Sequence, residues 1–195
     1  EVCGLGWVGV LGVSRVIVCC LRSRRPPSST LFPYTARFRS GSSRNLDNRA
    51  TAREMGLVEG VLEDDTLPER LKEITGDGVA VIFDMVGPDW NQLLKGLRIE
   101  GTLVMIGVLG GTKTELDLRG MMQRRQTLTA MTMRSQPLEK RIAIANVFND
   151  RLAPLFANGR LRPLPLKTFP FRDAPAAHAH MIEDAFSGKR VLVMD

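Results

Sequence analysis

The chain has 195 residues, 44% of them hydrophobic, and a formal net charge of +6. That suits one domain with a real core, or one and part of another. No apolar run reaches the roughly eighteen residues of a membrane span, and no secretory signal is legible.

The charge suggests nucleic acid only until it is located. Residues 1–46 hold seven Arg and a single acid, Glu1, while the rest of the chain balances to zero. No recognised reading module or aromatic-lined basic face goes with those arginines. They read as a non-specific basic tail, and no nucleic-acid or membrane partner is expected. The three cysteines, Cys3, Cys19 and Cys20, are an odd count with two adjacent. That argues against a disulfide framework and for a reducing, cytoplasmic setting.

Near the start, Gly4-Leu5-Gly6-Trp7-Val8-Gly9 spells G-x-G-x-x-G, the turn that holds a dinucleotide pyrophosphate. Such a turn needs a strand before it and a helix after it. Only Glu1-Val2-Cys3 precede it, and Val10-Leu11-Gly12 leads straight into the strand-like run Val13 to Val18. A crossover takes roughly ten to twelve residues or more. Gly4, Gly6 and Gly9 therefore read as a fingerprint whose helix is missing, with a malformed phosphate cradle.

Residues 20–46 carry many Arg and Ser, no acid, and neither a helical nor a strand period. One reading is a disordered basic loop. Such a loop inside the compact half of an α/β domain counts against that reading. The alternative is that Ser28 to Ser40, SSTLFPYTARFRS, is not native and resembles a translated sequencing adapter.

From Gly56 onward, apolar strand-like runs alternate with helical stretches, as in an α/β domain with a mostly parallel sheet. A Thr66-Leu67-Pro68-Glu69 capping box predicts a helix ended by Gly76. Val79 to Phe83 and Thr102 to Ile106 are short, apolar and bounded by Gly, as fully buried parallel strands are. Between them a helix is predicted over Pro88 to Leu97, with Trp90, Leu93, Leu94 and Leu97 on one stripe. Thr127 to Met133 alternates and predicts a strand nearer an edge. Ser135 to Asn158 predicts a long helix that Pro154 bends or ends early. A helix over Asp173 to Phe186 and a strand over Arg190 to Met194 close the chain.

In open α/β sheets, ligands bind beyond the carboxyl ends of the strands. The residues placed there are Asp84 to Pro88, Gly107 to Gly111, and Arg134 to Gln136. Gly87, Gly107, Gly110 and Gly111 admit close backbone approach or positive φ, and Arg134 suits a phosphate or a substrate oxygen. Taken singly these are ordinary turns; three on one edge suggest a binding edge. Asp84, ending a buried strand, reads as a turn cap. His178 and His180 lie two apart on a helix, point away from each other, and read as ordinary helix residues. Met121, Met122, Met131 and Met133 read as core. No Cys/His cluster has zinc spacing, and no hydrolase constellation is present. Binding loops with almost no acid/base machinery fit chemistry supplied by a cofactor, such as hydride transfer.

The motifs in series carry a family resemblance. Ala52-Arg53-Glu54-Met55-Gly56, Ile74-Thr75-Gly76, Asp84-Met85-Val86-Gly87, Ile106 to Gly111 and Gly188 to Val193 stand in order. Asn158 to Pro163 and Ala174 to Met181 support them. The series resembles the cofactor-binding half of the zinc-free, zeta-crystallin-like quinone oxidoreductases of the medium-chain dehydrogenase/reductase superfamily. The resemblance implies an incomplete Rossmann-like, doubly wound, mostly parallel sheet. Residues 1–19 would be a remnant of its first strand, turn and second strand, 20–46 the irregular segment, and 47–195 the cofactor domain. It implies NADPH, or less often NADH, with Val86 and Gly87 lining it. Gly107, Val108 and Leu109 would touch the nicotinamide ribose side, and Met133 and Arg134 close over it. It implies metal-free hydride transfer to a quinone or enone, and a homodimer joined through strand 127–133. The family's preceding GroES-like catalytic domain is absent from this sequence. The final strand would lack a partner, and this chain alone would be inactive. No catalytic residue is assigned.

The competing readings are a non-catalytic nucleotide-binding fragment or damaged gene product, and a basic nucleic-acid binder resting on charge alone.

Overall fold

A computed structural model describes residues 15–19, 38–43, 53, 59–159, 166–182 and 189–194. Gly4, Gly6 and Gly9 lie outside these residues, as do most of the Ala52 to Gly56 motif, Arg160 to Pro163 and Gly188. The chain divides at Pro137/Leu138 into two units.

The first unit is built on a six-stranded sheet. Its strands are β1 (Arg15–Cys19), β2 (Phe38–Ser43), β3 (Glu59–Leu62), β4 (Val79–Asp84), β5 (Leu97–Met105) and β6 (Thr127–Ala130), in the order β3-β2-β1-β4-β5-β6. That is the strand order of a doubly wound Rossmann sheet, whose direction of winding reverses between the first and fourth strands. The mostly parallel α/β sheet expected from the sequence is present. β2 pairs parallel with β3, and β4, β5 and β6 pair parallel with one another. The exception is β1, antiparallel to both β2 and β4. A parallel neighbour needs a long crossover, whereas an antiparallel one needs only a return. β2 also falls within residues 20–46, where no strand period was legible.

Three helices serve this sheet: α1 (Leu67–Thr75), α2 (Trp90–Gly96) and α3 (Leu118–Arg124). Their apolar stripes meet the strands in one core of Val61, Leu67, Leu71, Val79, Ile82, Leu93, Leu94, Leu97 and Leu103, with Trp90, Met121 and Leu128 packed against it. Beyond Val79, which is buried too, burial in β4 and β5 is one-sided. Ala80, Ile82 and Leu103 are buried, while Val81, Phe83 and Val104 are only half-buried. Both strands were expected to be buried on both faces. The sheet's apolar content serves one dense face instead.

The start of α1 departs from a capping box. The Thr66 hydroxyl makes no cap bond to the helix and instead donates to Asp64 Oδ1 at 2.6 Å. Gly76 ends the helix as expected, at φ +88°, its amide donating to Lys72 O at 2.6 Å. α2 has no such glycine. Its last carbonyls are covered from a distance: Arg124 donates to Leu94 O, Lys95 O and Leu97 O, and Gln126 Nε2 to Leu94 O at 2.7 Å. A cation at a helix C-terminus meets both the orphan carbonyls and the negative end of the dipole.

The second unit has α4 (Leu138–Arg151), α5 (Ala153–Ala157), β7 (Leu166–Pro170), a 3₁₀ turn (Phe171–Asp173), α6 (Ala174–Ile182) and β8 (Lys189–Val193). The predicted long helix is interrupted at Leu152, just ahead of Pro154 in the first turn of α5. Proline fits a helix's first turn but not its interior. β8 is not unpartnered: it pairs parallel with β7. β7 escaped the sequence reading because Pro163, Pro165 and Pro170 punctuate it.

Candidate functional site

The carboxyl ends of β4, β5 and β6 form one edge of the sheet. Arg15 pairs with Asp84, so β1 begins at that edge and runs away from it. The switch of winding between β1 and β4 puts the β4 loop where such sheets bind ligands.

Asp84 builds that loop. Its carboxylate is fully buried and accepts three donors: the Val86 amide at 3.1 Å, the Gly87 amide at 2.9 Å and Trp90 Nε1 at 2.8 Å. Its backbone carbonyl accepts the Ile106 amide at 2.7 Å and the Gly107 amide at 3.3 Å. One residue thus ties the β4 loop to its own helix and to the β5 loop. The two loops are joined again where the Gly110 amide donates to Val86 O at 2.7 Å, and Thr114 Oγ1 donates to Pro88 O. Gly87 sits at φ +57°, and the Gly87–Pro88 peptide is cis.

The glycines divide by role. A Cβ on Gly107 would stand 2.6 Å from Met85 O, and one on Gly110 would stand 2.9 Å from Gly87 O. Both positions need glycine because one loop presses on the other. Close approach to a ligand, the reason first suggested by the sequence, is not required there.

Val86, Gly87, Gly107, Val108 and Leu109 are therefore gathered in two interlocked loops. Val108 and Leu109 project outward, 41% and 88% exposed, and neither amide donates to a protein acceptor among the described residues. Met133 and Arg134 stand one strand over, both exposed, in a turn closed by the Gln136 amide on Met133 O at 3.3 Å. The described residues show no hydrogen bond from them to the other two loops. Of the methionines read as core, only Met121 packs against it; Met122 is exposed on α3, and Met131 and Met133 are exposed just past the edge strand β6.

The sequence missed the parts that hold this edge. Trp90 was read as a stripe residue, yet its indole nitrogen is a ligand of Asp84. Asn91 clamps the approach to α3, accepting the Asp117 amide at 2.8 Å and donating to Glu115 O at 3.0 Å. Only their place on a helix following Asp84 hinted at this. A cavity of about 180 Å³ opens elsewhere, lined by Asn91, Lys95, Asp117, Arg124 and Gln126 among others. Most of those polar groups already bind backbone, so it is a seam between α2 and α3. Among the described residues no three His, Cys, Asp or Glu side chains gather as metal ligands, and no helix is long and apolar enough to cross a membrane.

Sheet order and loop edge define a Rossmann-like domain. A family model described as zinc-binding dehydrogenase matches residues 56–192, and the chain belongs to that family. Among solved structures, it is similar to the Escherichia coli quinone oxidoreductase complexed with NADPH, at 26% identity and TM-score 0.65 over 79% of this chain and 48% of that one. It is also similar to the CurF ER cyclopropanase from the curacin A biosynthetic pathway, at 26% identity and TM-score 0.62 over 79% of this chain and 46% of that one. The quinone oxidoreductase of Pseudomonas syringae pv. Tomato shares the fold, at 22% identity and TM-score 0.62 over 79% and 48%. This chain spans less than half the length of these structures. A search of curated protein sequences finds no match.

Proposed function

We propose that the chain is the cofactor-binding half of an NADPH-dependent, metal-free oxidoreductase acting on a quinone or enone. NADH is the second choice of cofactor. The observation that carries this reading is the loop edge itself. Val108 and Leu109 offer exposed apolar side chains beside two amides with no protein acceptor, and Met133 adds a third apolar group at the same edge. That donor set suits a flat, uncharged ring bearing a carboxamide. Bound nicotinamide supplies the hydride. In this reading Val86 and Gly87 line the cofactor, and Gly107, Val108 and Leu109 orient its ring and ribose. Met133 covers the ring, excluding water, and Arg134 meets a phosphate. The phosphate turn falls to Gly4, Gly6 and Gly9. The intact enzyme would be a cytoplasmic homodimer joined through 127–133, whose strand lies at the sheet edge. Its acceptor pocket would come from a preceding GroES-like domain, so this chain alone would be inactive.

The test is NADPH oxidation by the intact parent protein with a panel of quinones and enones, followed by the loss of NADPH absorbance. Oxidation abolished by truncation to this chain supports the reading. No oxidation with any acceptor sinks it.

One observation favours the runner-up, a non-catalytic nucleotide-binding fragment or damaged gene product: β1 runs against its neighbours in the central position of the sheet. Resequencing the locus decides. A continuous upstream frame with ordinary helix and strand in place of residues 20–46 excludes the runner-up.

A further inference from the structure

Residues 106–117, between β5 and α3, carry the two outward amides of Val108 and Leu109. The near part of this strap is anchored on residues 84–88. Asp84 O accepts the Ile106 and Gly107 amides, Val86 O accepts the Gly110 amide, and Pro88 O accepts the Thr114 hydroxyl.

The first turn of α2 supplies the far anchor. Successive helix residues project about 100° apart, so three neighbours reach three different places. Trp90 turns to Asp84 Oδ2, Asn91 to residues 115 and 117, and Gln92 to Asp64 O at 2.8 Å, ahead of α1. A carboxamide offers a donor and an acceptor on one group, which neither a carboxylate nor an ammonium does. Asn91 uses both: its Nδ2 donates to Glu115 O at 3.0 Å, and its Oδ1 accepts the Asp117 amide at 2.8 Å. One side chain thus brackets Leu116, which packs against the core. Asp117 in turn caps α3, its Oδ1 accepting the Gly120 amide at 3.0 Å. Val108 and Leu109 therefore lie on a strap pinned on both sides, and Asn91 is the polar pin on the far side.

Resting on the reading of this edge as a nicotinamide site, we propose that Asn91 is a positioning residue for the cofactor. It touches neither cofactor nor acceptor. It acts through residues 115–117, holding the strap so that the Val108 and Leu109 amides are placed before the cofactor arrives. Such preorganisation removes an ordering cost from binding, and without the pin each binding event has to order the strap anew.

The experiment compares N91A and Q92A in the intact parent protein, by steady-state NADPH oxidation with a fixed acceptor. Both variants lose side-chain hydrogen bonds from the same helical turn, but Gln92 holds a different segment. N91A is expected to raise the KM for NADPH about fivefold or more, the scale of one lost hydrogen bond. Q92A is expected to leave that KM unchanged. N91D keeps an acceptor for the Asp117 amide and loses the donor to Glu115 O, so its KM should fall between wild type and N91A. A merely structural role would lower kcat through loss of active enzyme and leave KM where it was. The proposal is overturned by an unchanged KM in N91A, or by an equal rise in Q92A. Should N91A lose its fold, N91D is read in its place, and an unchanged KM there overturns the proposal. A wild-type parent that oxidises no NADPH sinks the reading of the edge and this role with it; oxidation with KM unmoved by N91A sinks this role alone.

Discussion

The two units treat their apolar residues in opposite ways. Ten of the eleven buried apolar side chains among the described residues lie between Val61 and Leu103, and Ala177 alone belongs to the second unit. Yet α4 carries as regular a stripe as α2. Leu138, Ile142, Ala145 and Phe148 recur at steps of three or four, and no residue of α4 is buried. A stripe states which face wants burial; only a second layer delivers it. In the first unit α1 and α2 find that layer in β4 and β5.

The largest break in this contrast comes from deleting one core side chain. Leu103 is fully buried in the central cluster, so Leu103→Ala should cost about 2–5 kcal/mol. Leu138 is 61% exposed, and Leu138→Ala should stay within about 0.5 kcal/mol. Urea unfolding of both variants checks the pair. Similar losses would show that the second unit has a core of its own.

A finer contrast lies within the first unit, between the interlocked β4 and β5 loops and the turn after β6. Asp84→Asn replaces an acceptor of three N–H groups with a side chain that brings donors of its own. A loss of about 1–3 kcal/mol is expected from unfolding midpoints, together with a changed Trp90 emission. Gly107→Ala pushes a methyl against Met85 O and should cost a similar amount. Arg134→Ala, in the open turn, should leave stability within about 0.5 kcal/mol. It should weaken NADPH binding by roughly tenfold, read from NADPH fluorescence. A stability loss at Arg134 would show that this turn is built like the other two.

What the sequence revealed about this fold follows from range. Val79 to Phe83 and Thr102 to Ile106 were legible because a buried strand is apolar whatever pairs with it. Gly76 was legible because a helix stop is written within a few residues. The reversed direction of β1 was not, since nothing in Arg15–Cys19 states which way a neighbour runs. β7 was hidden by its prolines, and the carbonyl caps supplied by Arg124 lie some thirty residues from their helix. At the site, the three loops after the strands were found from topology alone. The reason for Gly107 was not, because its constraint is the backbone of Met85. His180 shows the same limit: helix spacing separated it from His178 but said nothing of Lys167 and Arg190, which its ring meets.

The smallest expected effect concerns the one start signal that was misread. Thr66 was expected to cap α1 with its hydroxyl. It donates to Asp64 instead, by its hydroxyl and by its amide at 2.9 Å. Chiefly through that hydroxyl, then through the Thr66 amide and nearby Arg70, the Asp64 carboxyl is held below its ordinary value, against an opposing desolvation. The sign follows from linkage. A carboxyl depressed in the folded state lends stability above its unfolded value, and loses it as pH falls through the folded one. Asp64 is only half-buried, so solvent screening should keep the effect on unfolding slight. Thr66→Val should raise the Asp64 midpoint toward the usual carboxylate range in an NMR titration while leaving α1 in place, since the hydroxyl caps nothing in the helix. Loss of α1 in that variant would restore Thr66 to the role its spacing first suggested.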